Sequence, residues 1–383
     1  MIQSVRTPLL ILSIALLAAC AGDSAKKENI EPPTPLTEFA PTATVEKLWS
    51  TSVGDGAGAT GASLVPAVAG GRVFAASIDG SIAAFDASSG KRLWSREIEA
   101  FSGGPGASSE LVVAGTIDGA VIALDAASGE QRWRVQASSE VISAPVVTAD
   151  TVVVVSNDGR THALAAADGK QRWAVDRGVP LLSLRGNASP IVMDDRVIVA
   201  GASGKVSALS MTDGRQLWEQ AVGVGEGRTD LERMVDVDGR MALLRGDLFV
   251  AGYSSAAQAL TTDGGRILWT REMSSVAGLS ASEDGIYVAA TDGALWALDR
   301  RSGGALWKNE VLLYRMISAP AVMGSYVVVG DLEGYLHWFK REDGEIAART
   351  QLGDAGFGDG LVVVDEVLYA QSRDGSLGAF RLR

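Results

Sequence analysis

Histidine, cysteine and clustered carboxylates build most hydrolytic, metal-dependent and redox sites. This chain of 383 residues offers two histidines, one cysteine and 46 scattered acidic residues. His162 and His337 lie in distant parts of the sequence, and neither has a second histidine or a cysteine at metal-ligand spacing. A zinc centre or a histidine-based acid–base pair is therefore not expected. Asp86, Asp125 and Asp299 each precede a Ser-Gly turn at matching positions. A carboxylate that recurs in register is a turn residue rather than a catalyst. The glycine-rich stretch Gly223-Val224-Gly225-Glu226-Gly227 lacks the lysine of a phosphate loop and any βαβ context. No metal or cofactor site emerges, and no enzyme is expected.

What does recur is structural. Gly71-Arg72-Val73-Phe74-Ala75-Ala76, a turn at Asp79-Gly80, Ser81-Ile82-Ala83-Ala84-Phe85-Asp86, a turn at Ser89-Gly90 and Lys91-Arg92-Leu93-Trp94 make one copy of a unit. Its central turn returns at Asp118-Gly119, Asp158-Gly159, Ser203-Gly204, Ser254-Ser255, Asp292-Gly293, Glu333-Gly334 and Asp374-Gly375. A period of roughly 40 residues with four short strands per unit predicts an all-β, eight-bladed β-propeller. Asp-Gly suits tight hairpins, and unbroken runs such as Val152–Val155 suit strands covered on both faces. Trp94, Trp133, Trp173, Trp218, Trp269 and Trp307 follow the second turn each time and are expected to pack between blades. The copy at Asp343-Gly344 has Ile346-Ala347 in place of Trp, and the last copy ends without an outer strand. Leu48-Trp49 near the start of the chain supplies that missing piece, so an amino-terminal strand should close the ring.

Net charge is −12, with no Lys/Arg run, which argues against nonspecific binding to nucleic acid or anionic lipid. An apolar run from Leu9 to Ala19 after Arg6 reads as a secretory signal, too short for a membrane span. Its ending, Leu17-Ala18-Ala19-Cys20, resembles the lipobox of bacterial lipoproteins. That resemblance implies lipidation of Cys20, the only cysteine, and Ala21 after it implies retention at the outer membrane. The expected organisation is a signal peptide over 1–19, a lipidated extended tether over 20–44, rich in proline and threonine, and the propeller over 45–383.

Recognition on a propeller sits where extra residues break the repeat. Two consecutive insertions stand out, Asp176–Asn187 after Trp173 and Gly227–Arg240 after Trp218. Both join an outer strand to the next inner strand, so both should emerge on one face as a single patch. Leu182 and Leu184 should point the same way if their stretch is extended. Thr229-Asp230-Leu231-Glu232 carries a capping-box pattern that should start a helical turn.

The blade sequence Ala123–Trp133 looks like the tryptophan-docking motif of pyrroloquinoline-quinone alcohol dehydrogenases, which implies the eight-bladed fold. The chain lacks the adjacent cysteines many of those enzymes carry and is much shorter. Lipobox, tether, tryptophan-marked repeats and both insertions together resemble the BamB family of outer-membrane assembly lipoproteins, over essentially the whole chain. The local features are Leu182-Ser183-Leu184-Arg185-Gly186 and Asp236-Val237-Asp238. The resemblance implies a non-catalytic scaffold at the periplasmic face of the outer membrane. It also implies that Leu182, Leu184, Arg185, Asp236 and Asp238 bind the POTRA domains of BamA, the barrel-forming subunit. Blade edges offer a further contact, to strands of unfolded outer-membrane proteins by β-augmentation. The alternatives are a periplasmic quinone-dependent dehydrogenase and a generic ligand-binding propeller.

Overall fold

The computed structural model describes residues 31–383 except 59, 61, 185, 187, 226 and 227. The described residues form 32 strands in eight four-stranded antiparallel sheets, each a blade of one ring. Blades one to seven run consecutively, blade one over 67–97, three over 146–176, four over 191–221, five over 242–272, six over 278–309 and seven over 321–351. The middle strands are buried along almost their whole length, Thr151–Val155 and Tyr326–Gly330 among them, because a blade covers each face. Blade eight takes three strands from residues 361–382 and its outer strand from Val45–Ser52. That strand pairs antiparallel with the carboxyl-terminal one, Trp49 opposite Ala379, and closes the ring as expected.

Seven of the nine tryptophans act as locks between blades. Each indole N–H donates to a backbone carbonyl of the next blade: Trp49 to Ala87, Trp94 to Ala126, Trp133 to Ala166 and Trp173 to Met211, at 2.8–3.0 Å. Trp218, Trp269 and Trp307 do the same to Thr262, Arg300 and Arg341. Each indole also lies on the turn glycine of that next blade. Gly265, at φ +66°, would put an added Cβ 2.5 Å from Trp218, so only glycine fits. A bulge in the outer strand just before every indole turns it inward, since strict alternation would aim it elsewhere. The extra residue is left outside, which explains exposed Leu93, Leu268 and Leu306.

The missing tryptophan of blade seven now has a reason. Blade eight has no turn between its two outer strands, because they come from opposite ends of the ring, Val45–Ser52 and Ser376–Leu382. An indole from blade seven would find neither glycine nor carbonyl. Ala348 faces the seam instead, beside Trp338 packed edge-on against Phe380.

The compact unit begins at Pro33, so the last part of the segment read as a tether belongs to it. Residues 33–44 form a strap along blade seven. The Thr34 N–H donates to Leu313 O at 3.0 Å, and those of Thr42 and Ala43 donate to Ala347 O. Two arginines grip its backbone: Arg315 donates to Thr34 O at 3.0 Å and Arg349 to Thr37 O at 3.1 Å. The Arg349 guanidinium also lies 5.0 Å from the Phe39 ring centre. His337 links the two arginines. Its Nε2–H donates to Asp331 Oδ2 at 3.0 Å, Asp331 accepts from Arg315 at 2.8 Å, and its Nδ1 accepts from Arg349 at 3.1 Å. Burial holds the imidazole below its usual pKa, consistent with this neutral tautomer. His337 is thus a structural residue, while His162 is bonded within blade three to Gln171 and neighbouring serines.

Candidate partner-binding site

In an up-down-up-down blade, every connection from an outer strand to the next inner strand leaves on one face. The two insertions therefore share a rim, and the structure joins them directly. The first runs beside the second at Gly186, where an added Cβ would lie 3.0 Å from Asp238 Oδ2. The Leu184 N–H donates to Asp236 Oδ2 at 2.6 Å. Asp236 in turn is pinned to blade five by a two-residue antiparallel bridge with Tyr253, whose N–H donates to Asp236 O at 2.7 Å. Thr229 and Glu232 form the expected reciprocal cap: Thr229 N–H donates to Glu232 Oε2 at 3.0 Å and Glu232 N–H to Thr229 Oγ1 at 3.2 Å. Only a single turn follows, closed by Arg233 N–H to Thr229 O.

Two hollows result. At the rim, a groove of about 530 Å³ runs between the insertions, lined by Val179, Leu181 and Leu182 on one side and by Asp230, Arg233 and Met234 on the other. Arg177 sits at this groove, its Nε unpartnered among the described residues and its pKa lowered by burial. On the ring axis a second hollow of about 520 Å³ holds Leu184, Asp238, Arg240, Asp359 and Met316. Arg240 is committed there, donating to the carbonyls of Asp359 and Leu361 at 2.8 Å.

Three sequence expectations change. Leu182 and Leu184 do not point the same way, because a bend at Leu181-Leu182 breaks the alternation. Leu182 lines the rim groove and Leu184 the axial hollow. Asp236 is not a surface charge: it is wholly buried, with Oδ2 bracing the Leu184 amide and Oδ1 unpartnered among the described residues. Burial raises its pKa to about 6, against the Leu184 hydrogen bond that lowers it. Asp238 has neither oxygen partnered among the described residues, and burial, then the neighbouring Asp236 charge, raises it to about 8. Asp238 lines the axial hollow, but both its oxygens are buried, so neither aspartate presents an open carboxylate. Leu181, fully exposed beside Leu182, was not singled out, although the same insertion carries it. Arg185 and Cys20 lie outside the described residues. Among the described residues, no group of three His, Cys, Asp or Glu could hold a metal ion, and no helix is long and apolar enough to cross a membrane.

Comparison with known proteins agrees with the eight-bladed fold. A family model described as "Outer membrane protein assembly factor BamB" matches residues 40–100 and 79–309. Outer membrane protein assembly factor BamB of Xanthomonas campestris pv. campestris is 43% identical, over 98% of this chain and 97% of that one. The crystal structure of BamB from Moraxella catarrhalis superposes with a TM-score of 0.81 at 29% identity, covering 88% of this chain and 100% of that one. Quinohemoprotein alcohol dehydrogenase from Comamonas testosteroni has a TM-score of 0.70 at 14% identity, covering 88% of this chain and 76% of that one, a likeness of fold alone.

Proposed function

Because the chain belongs to the BamB family of outer-membrane protein assembly factors, we propose that it is a non-catalytic scaffold subunit of the β-barrel assembly machinery. It docks on the POTRA domains of BamA through the face built by its two insertions, and it helps deliver barrel proteins for insertion. A lipid on Cys20 holds it to the periplasmic side of the outer membrane.

The observation that carries the reading is the fusion of the two insertions into one braced surface. Leu184 and Asp236 tie them by a 2.6 Å hydrogen bond, which leaves Leu181 fully and Leu182 43% exposed at the rim. Exposed leucines on a braced backbone suit an apolar anchor contact. Asp238 lines the axial hollow with both oxygens buried and unpartnered among the described residues; a partner cation reaching it would ionise it and supply the missing counter-charge.

Leu182→Glu and Asp238→Ala variants, purified from detergent-solubilised outer membrane, test this. Each should recover at least ~10-fold less BamA, the effect of losing a hot-spot contact. Wild-type recovery by both variants would remove the site assignment.

A further inference from the structure

The connection from blade six to blade seven emerges on the same face as the two insertions. Within it, Tyr314 and Met316 take left-handed backbone conformations, at φ +58° and +48°. Such angles are unfavourable for residues with large side chains and persist only where the surroundings hold them. Here the surroundings are visible. Arg315, between them, is 3% exposed and is held by Asp331, Glu333 and the strap carbonyl of Thr34. The Tyr314 N–H donates to Asp292 O at 2.7 Å and the Leu332 N–H to Arg315 O at 3.0 Å. Swallowing Arg315 forces its two neighbours outward: Tyr314 is 44% and Met316 66% exposed. A bulky apolar pair held in strained backbone and turned to solvent has no packing purpose.

Position supplies one. Met316 lines the axial hollow that Leu184 and Asp238 line from the opposite insertion side, with exposed Val276 of the blade five to six connection between them. Four successive connections thus present apolar side chains on one face: Leu182, Leu231, Val276 and Met316. Asp238 lines the same hollow as Val276 and Met316, with its oxygens buried and unpartnered among the described residues. A protein segment that lays apolar side chains along this crescent matches it.

We propose that the segment Glu310–Ile317 is a second docking element for the partner of the Leu182–Asp238 site, with Tyr314 and Met316 as its contacts and the strap as its brace. This rests on the proposed function for the identity of that partner. Because Thr34 holds Arg315, the strap supports the docking surface from behind.

The test uses the full chain and the purified POTRA region of BamA, titrated calorimetrically, with urea unfolding alongside. Met316→Ala should bind ~10-fold more weakly, as for loss of an anchor. Tyr314→Gly/Met316→Gly should also bind weakly yet unfold at the same or higher urea, because glycine relieves the left-handed strain. Leu182→Glu serves as reference. Full affinity in both Met316 variants, with Leu182→Glu weakened, overturns the second element and leaves the first site standing. Full affinity in all three overturns both. Weakened Met316 variants beside an unaffected Leu182→Glu would keep the segment and reject the insertion site.

Discussion

Asp236 allows a prediction whose sign changes with pH. Its side chain is wholly buried, with one oxygen on the Leu184 amide and no cation bonded to it among the described residues. Its pKa in the fold is raised by burial to about 6, against an ordinary value of 3.8. Well below pH 3.8 the carboxyl is neutral in both folded and unfolded chains and has no pH-linked cost. As pH rises toward 6, the unfolded chain releases the proton first, so stability falls. Above 6 the loss is complete, and at about 1.4 kcal/mol per unit it amounts to roughly 3 kcal/mol. Asp236→Asn removes this loss while keeping an oxygen for the Leu184 amide. It also buries a new amide N–H₂ without an evident acceptor, which costs about 1–2 kcal/mol at every pH. The variant should therefore be less stable than wild type near pH 4 and more stable, by about 1–2 kcal/mol, near pH 7.5. Urea unfolding of both proteins from pH 4 to 8 measures the difference; titrating groups remote from Asp236 cancel in it, while Asp238, relieved of the Asp236 charge, adds to the gain of the variant at high pH. A difference that does not vary with pH, or that favours wild type increasingly above pH 6, would mean Asp236 is ionised and neutralised in the fold, and the reasoning would fail.

Two further outcomes follow from the ring. In the blade five turn, Gly265→Ala should cost about 2–4 kcal/mol, from a left-handed φ and a Cβ meeting Trp218 at 2.5 Å. Adjacent Gly264→Ala, with nothing within 4 Å, should stay within about 0.5 kcal/mol by urea unfolding. Deleting Val45–Ser52 unpairs the carboxyl-terminal strand and removes the Trp49 bond to Ala87. Amides of blade eight should then exchange hydrogen far faster than those of blade three, and equal protection would argue against closure by this strand.

Architecture was legible because the same local physics is written many times. An Asp-Gly turn, a valine run and a tryptophan each have weak meaning alone, but their repetition at one spacing leaves a single arrangement that buries them all. The odd copy at Ile346-Ala347 was visible as an irregularity, but its link to the seam needed the pairing of Val45–Ser52 with Ser376–Leu382. The site was legible by place rather than by detail. Two interruptions of the period located the rim, and Thr229-Glu232 announced its own cap. The bend at Leu181-Leu182 and the burial of Asp236 were hidden, since both depend on how one insertion leans on the other. The strap left little trace for a similar reason. Arg315 and Arg349 hold it through the carbonyls of Thr34 and Thr37, and a backbone carbonyl has no residue type.

The strap has a mechanical meaning. Tension that enters the ring at residue 33 does not reach the closing strand directly. It is first borne in shear by the two guanidinium grips and the Ala347 pairing on blade seven, a neighbour of the seam rather than the seam itself. A chain hauled from its amino end would have to peel a dozen residues from blade seven before the first hydrogen bond of Val45–Ser52 felt the load. The strap is a strain relief, of the kind that keeps a cable's pull off its soldered joint.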